Sequence, residues 1–245
     1  MEIIGLKLPL IKEGDDLAEL ILRALDRSGI TLEDDDIVLI TEKIVSKSQG
    51  RLVDLKTVIP SEEAVALADT TEKDPCIVEL ILWESREIVL TGPNFIITET
   101  VDGFVCANAG IDASNVEEGT VKLLPSDPDR AAEEIRQKIE KTLGKRFGVV
   151  ISDSFGRPFR TGSVGVAIGA SGLTTLWDRR GETDLYGREL ENTRVAVADC
   201  IASAANLVTG DGSEGIPVAV IKGLKFTGVG QASDLIRPKE EDLFR

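Results

Sequence analysis

Leu17, Leu20, Ile21 and Leu25 recur at the three- and four-residue intervals of a helix, with polar residues filling the gaps. The spacing predicts a helix over Leu17–Ser28, capped by Asp15 or Asp16 and ended by Gly29. Ala132, Ile135, Ile139 and Leu143 repeat the pattern behind Ser126, Asp127 and Pro128. They predict a helix that opens at Pro128, turns all four residues inward and stops at Gly144. Ser61 caps a short helix at Glu62–Ala68, Asp74-Pro75 starts another, and Thr193–Val208 reads as an alanine-rich helix closed by Gly210. Unbroken apolar runs at Ile37–Thr41, in FGVVIS (147–152) and in IPVAVI (216–221) predict buried strands. Arg86–Leu90 and Phe95–Thr100 also read as strands, and Asp102-Gly103 between FIITET and FVCAN signals a hairpin. VSKSQGR (45–51), after the first buried strand, reads as a loop. Helices and strands mix without a regular βα alternation, so the class is α+β or mixed α/β. Residues 1–245 form one unit on this reading, with a weak boundary signal near 85–95.

Composition narrows the chemistry. The chain contains no histidine, which removes imidazole acid–base catalysis, Ser-His-Asp triads and Cys-His pairs. Any metal must be held by oxygens, which favours hard ions. The three cysteines, Cys76, Cys106 and Cys200, are far apart and form no CxxC, as expected of reduced thiols in a cytoplasmic protein. The net charge of −15 opposes binding to nucleic acid or an anionic membrane. No apolar run approaches the roughly 18–20 residues of a membrane helix.

Against that acidic background, the local basic clusters stand out. SDSFGRPFR (152–160) reads as a loop just past a buried strand, a common ligand position. There Asp153 suits a cation, Ser154 adds a neutral oxygen, and Arg157 and Arg160 suit a phosphate or carboxylate. Surface ion pairing of the two arginines is the plainer alternative. ANAGIDASN (107–115) offers Asp112 as a metal ligand and Asn115 as a polar contact, or else an ordinary turn. TGDGSEG (209–215) can present backbone N–H groups to phosphate, with Asp211 and Glu214 near a metal, although it is not a Walker loop. Lys43 and Lys47 lie beside a strand end. Trp177, Arg179, Arg180, Tyr186 and Arg188 suit a flat anionic ligand or a subunit contact. The glycines of RTGSVGVAIGASG serve close ligand approach or tight packing equally well.

Taken together, SDSFGRPFRTG, ANAGIDASN, VSKSQGR and NLVTGDGSEGIPVAVI resemble the coenzyme F420-0:L-glutamate ligase (gamma-glutamyl ligase) family, of the stand-alone archaeal type. The resemblance implies that family's unusual α+β fold, an intertwined homodimer, and an active site near the subunit interface. It also implies GTP-dependent addition of L-glutamate to F420-0 through an acyl phosphate, with a second glutamate joined by a gamma linkage. The expected cofactors are two divalent ions, Mn2+ or Mg2+, together with K+. On this resemblance Asp112 and Asp153 hold one ion, and Ser154 and Asp211 contribute to the other. Asn115, Leu10, Ile11, Lys12, Glu42, Lys43, Lys47 and the loop of Gly212, Ser213, Glu214 and Gly215 surround the nucleotide. Arg157, Arg160 and the Trp177–Arg180 segment are then assigned to the deazaflavin substrate. Two other readings use the same residues: a metal-dependent phosphoryl-transfer enzyme acting on a small anion, and a non-catalytic nucleotide- or deazaflavin-binding module.

Overall fold

The computed structural model describes residues 1–244. In chain order its elements are β1 (Glu2–Leu6), α1 (Leu17–Ser28), β2 (Ile37–Thr41), α2 (Glu42–Ser48), β3 (Leu52–Asp54), α3 (Glu62–Thr71), α4 (Pro75–Trp83), β4 (Ser85–Gly92), β5 (Phe95–Thr100) and β6 (Val105–Ala107). The rest are β7 (Thr120–Lys122), α5 (Pro128–Leu143), β8 (Gly148–Arg157), β9 (Arg160–Ser171), β10 (Leu176–Asp178), β11 (Arg194–Ala196), α6 (Val197–Thr209) and β12 (Val218–Lys222). The class is mixed α/β, as the sequence predicts.

The local signals at helix ends act as expected. The Asp16 carboxylate accepts from the Ala18 and Glu19 amides, and Gly29 closes α1 at φ +64°. Asp127 accepts from the Arg130 amide at the start of α5, and Gly144 ends that helix at φ +66°. Leu143 departs from its predicted inward position. It lies one turn beyond Ile139, where α5 has outrun its covering, and is 39% exposed.

Three further segments differ from expectation. Most of VSKSQGR is helical: residues 45–48 belong to α2, where Val45 and Ser46 are buried and Ser46 donates to the Leu123 carbonyl. Thr193–Val208 is not one helix, because Arg194–Ala196 pairs as a strand with Leu176–Asp178 before α6 begins. SDSFGRPFR is not a loop. β8 continues through it to Arg157, and the chain turns at Pro158 and Phe159 into β9, so the polar motif lies on a long hairpin. Turn-forming residues suggested irregular chain there, but cross-strand pairing with Gly165 and Val164 holds Ser154 and Phe155 extended.

The main sheet has the order β1-β12-β2-β8-β9. β2 and β8 run parallel, and the other neighbours are antiparallel. A register shift in the hairpin pairs Ile151 with Gly169 but Ser152 with Ala167, which leaves Ile168 as a bulge. The bulge reverses the alternation along β9. Gly165 therefore faces the backbone of α6 at Ala202, and Gly169 faces α5 at Pro128, on the opposite side of the sheet. These glycines serve helix packing rather than ligand approach. The sheet strands form the centre of the main core with α1, α5 and α6. Smaller cores form between residues 53 and 123, where α3 and α4 pack with β5 and β7. Among the described residues, no helix is long and apolar enough to cross a membrane.

Candidate active site

Because β2 and β8 are parallel, β2 ends at the edge of the sheet beyond which β8 runs on into the hairpin. Thr41 lies opposite Ser152, so the next residues, Glu42 and Asp153, emerge side by side. The carboxyl ends of parallel strands are where open α/β sheets place their ligands. Asp112 arrives by a different route. Its backbone exchanges hydrogen bonds with Lys122 at the end of β7, at 3.0 and 2.8 Å. Asp211 follows α6, and the Ser154 hydroxyl donates to its Oδ1 at 2.7 Å. Asn206 in the last turns of α6 lies close to both Ser154 and Asp211.

These residues line two adjoining cavities. One, of about 370 Å3, is bordered by Asp112, Asp153, Ser154, Asp211, Lys43 and Cys106. The other, of about 330 Å3, lies between the Leu8–Ile11 segment, Lys47, Asn115 and the Gly210–Gly215 loop. Lys43 and Asp211 border both. The loops are tied across the mouth: Lys47 Nζ donates to the Asn115 carbonyl at 2.6 Å, and Asn115 Nδ2 donates to the Gly212 carbonyl at 3.2 Å. Within the loop, the Gly212 amide donates to Glu214 Oε2 at 2.9 Å.

The electrostatics are uneven. Burial pushes Asp153 above its ordinary carboxylate value, against the pull of Lys122, the Ser154 amide and Lys43. Burial also pushes Asp112 upward, but the Ser114 hydroxyl and amide, with the charges of Lys43 and Lys122, outweigh it and hold the carboxyl below its usual value. Lys43 bridges this group, donating to Ser114 Oγ at 2.8 Å and approaching Asp112 Oδ2 at 3.4 Å. Lys47 is lowered by burial and by the neighbouring positive charges of Lys43 and Lys122. An anion in the second cavity would relieve that repulsion.

Behind the cavities lies an ion pair that the sequence does not reveal. Lys122 Nζ is 2.8 Å from Glu42 Oε2, and each side chain is only 1% exposed. Burial pushes the Glu42 carboxyl up to about 8, opposed by Lys122 and reinforced by Asp153. Glu42 Oε1 is buried with no hydrogen-bond partner among the described residues. Cys106 is inert beside this group, since burial raises its thiol to about 12.

The donor set fits a hard divalent ion. The oxygens are carboxylate and hydroxyl, and among the described residues Asp153 has no direct cationic partner and one buried carboxylate oxygen nearby has no hydrogen-bond partner. Among the described residues, no three acidic or cysteine side chains converge into a cage. That pattern suits an ion that takes one or two protein carboxylates and completes its shell with phosphate and water.

The structure thus gathers Asp112, Asp153, Ser154, Asp211, Leu10, Ile11, Lys43, Lys47, Asn115 and Gly212–Gly215 around one cleft. It places the others elsewhere. Lys12 lies outside the cavity lining, with its amide donating to Asp15 at 2.8 Å. Glu42 is buried behind the cleft rather than lining it. Arg157 and Arg160 face each other across the exposed tip of the β8–β9 hairpin. On the Trp177–Arg180 segment, Arg179 stacks on Trp177 at 4.6 Å and pairs with Glu182, while Arg180 pairs with Asp178. Lys122 and Asn206 were not anticipated. A lysine inside the apolar run TVKLLP is the one local hint of the buried pair.

Fold and site define a mixed α/β protein with an oxygen-lined cleft, two lysines and a glycine-rich loop at the mouth. The chain belongs to the F420-0:Gamma-glutamyl ligase family, whose sequence model matches residues 5–223. It is 55% identical to the coenzyme F420:L-glutamate ligase of Methanocaldococcus jannaschii over 248 aligned positions, covering all of this chain and 97% of that protein. The protein of the same name from Methanothermobacter thermautotrophicus is 50% identical, with 100% and 99% covered. That from Archaeoglobus fulgidus is 48% identical, with 97% and 93% covered.

Proposed function

We propose that this chain is a ligase that joins L-glutamate to F420-0 in the formation of coenzyme F420, with GTP as the energy source. One observation carries the reading. In a chain that belongs to this family along most of its length, Asp112, Asp153, Ser154 and Asp211 line one cavity that meets the glycine-rich-loop cavity at Lys43 and Asp211.

The chemistry follows from the groups present. A carboxylate resists attack by an amine because it has no leaving group. Transfer of the γ-phosphoryl group of GTP to the terminal carboxylate of F420-0 forms an acyl phosphate and releases GDP. The glutamate amine then attacks the acyl carbon, phosphate leaves, an amide forms, and the amine gives up its proton. A second round would activate the gamma carboxyl of the glutamate just added, and the amine of a second glutamate would attack it, with phosphate leaving again. Lys43 and Lys47 supply positive charge beside the phosphates, and the Gly212–Gly215 backbone offers them N–H donors. Asn115 and the Leu8–Ile11 segment shape the nucleotide cavity. Asp112 and Asp153 would hold one Mn2+ or Mg2+, and Ser154 and Asp211 would contribute to a second. Such ions neutralise developing charge on the phosphates. The Ser154–Asp211 hydrogen bond keeps those two donors together. K+ is part of the proposal as a further requirement. So is a C2 homodimer, supported by the exposed apolar side chains of Phe159, between β8 and β9, and of Leu185 and Tyr186, between β10 and β11.

The test is the mass of the product from purified protein, F420-0, L-glutamate, GTP, Mn2+ and K+, with each component omitted in turn. A product heavier by one or two glutamyl units, lost without GTP or divalent ion, is the expected result. GTP hydrolysis without mass gain would instead identify a phosphoryl-transfer enzyme. Sedimentation of the same sample tests the dimer.

A further inference from the structure

A third cavity, of about 200 Å3, lies beyond Phe155, which borders both it and the cavity of Asp112 and Asp153. Its walls include Phe104, Phe155, Val166 and Ile236, and its charged groups are Asp199, Arg237 and, from the C-terminal segment, Asp242. Phe104 is buried and comes from the tight turn between β5 and β6, while Ile236 comes from the C-terminal segment that crosses over it. Asp199 lies in the first turn of α6 and is half-buried. Its Oδ1 accepts from the Ala167 amide on the edge strand β9 at 2.9 Å, and Oδ2 has no partner among the described residues. Burial pushes this carboxyl up, opposed by the Ala167 amide. Arg237 is exposed and makes no ion pair or side-chain hydrogen bond among the described residues.

Apolar walls with a few convergent polar groups are the usual form of a small-molecule site. Whole-ligand sites occupy about 300–1,000 Å3, so this one takes one end of a molecule whose remainder lies in the neighbouring cavity. Two phenylalanines suit a flat conjugated ring. A carboxyl and a guanidinium, one accepting and one donating, suit a ring edge that carries both N–H and C=O groups.

We propose that this cavity is the subsite for the heteroaromatic end of the acceptor, a tricyclic ring with an imide edge. The acceptor's anionic tail then passes Phe155 toward Asp153. The ring thus lies away from Arg157, Arg160 and the Trp177–Arg180 segment. The subsite rests on the ligase reading for the identity of the ring, but its test does not depend on turnover.

The probe is the deazaflavin riboside without the phosphate tail, titrated by its own absorbance and fluorescence against wild type, Asp199→Asn and Arg237→Ala. Asp199→Asn keeps an oxygen for the Ala167 amide, and Arg237 is exposed, so both variants should fold. The expected result is riboside binding to wild type, weakened about tenfold to a hundredfold in Asp199→Asn, the cost of one mismatched polar contact. Arg237→Ala should weaken it less. In ligation assays, KM for F420-0 should rise while KM for GTP and glutamate holds. Riboside affinity equal in all three proteins, or absent in wild type, overturns the subsite even where ligation proceeds. Riboside binding that depends on Asp199 in a protein that forms no ligated product retains the subsite and removes the ligase reading.

Discussion

Gly165→Ala probes how closely α6 must sit on the β8–β9 hairpin. A Cβ built at Gly165 lies 2.3 Å from the Ala202 carbonyl oxygen and 2.6 Å from its carbon, where real contacts begin at about 3.0 Å. Both atoms are backbone, so no side chain can swing aside, and the helix must retreat by more than half an ångström. Overpacking of this kind costs about 1–3 kcal/mol. For a chain of this size each kcal/mol lowers Tm by about 2–4 °C, so the expected loss is about 2–12 °C. Retreat of α6 also draws Asp211 away from Ser154, which it meets at 2.7 Å. Misplacement on this scale costs catalysis about tenfold or more. Melting followed by circular dichroism reads the first effect, and turnover in the ligation assay reads the second. Gly156→Ala is the control, since a Cβ there meets nothing within 4 Å. If Gly165→Ala melts within 1 °C of both wild type and Gly156→Ala, the packing argument is wrong.

Other predictions use the cleft itself. Asp153→Asn should cut turnover by orders of magnitude while its circular dichroism spectrum stays that of wild type; near-normal turnover at saturating Mn2+ would sink its assigned role. Mn2+ at about a hundred times its Kd should stabilise the wild type by about 2.7 kcal/mol. The corresponding rise in Tm should be lost in Asp112→Asn and restored to baseline by chelation in the wild type, and an equal rise in both proteins would place the ion elsewhere. Glu42 makes stability depend on pH. Its folded value, about 8, exceeds the ordinary 4.5, so its contribution is present below about 4.5 and is lost as pH rises through 8. Glu42→Gln carries no such titration, so its Tm relative to wild type should climb between pH 5 and 8.5. A constant difference across that range would contradict the burial argument.

The elements that follow from local chemistry were legible in advance. Asp16 and Gly29, Ser61, Asp74-Pro75, and Asp127 with Gly144 act within one turn of themselves, so neighbouring residues suffice to predict them. The runs IVLIT and GVVIS read as buried strands because burial on both faces leaves no polar alternation. SDSFGRPFR misled because its residue types favour turns, while its extended form depends on pairing with β9. Thr193 misled for the same reason, since Arg194–Ala196 is a strand through its pairing with Trp177 and its neighbours.

The sequence by itself determined the type of chemistry. Without histidine, oxygen donors and lysines must do the work, and the motifs that carry Asp112, Asp153, Ser154 and Asp211 are contiguous enough to read. Only the tertiary structure decided which of these groups meet. Parallel pairing of β2 with β8 sets Glu42 beside Asp153, and the bridge of Asp112 with Lys122 brings a lysine distant in the chain behind them. That lysine could not be picked from its neighbours, because a charge is tolerated in a core only where a distant partner neutralises it. The separation of Glu42 from the cavity of Lys47 and Asn115, the bulge that turns Gly165 and Gly169 to opposite helices, and the cavity beyond Phe155 have the same origin. Each depends on strand register, which is set by contacts between segments that no local pattern relates.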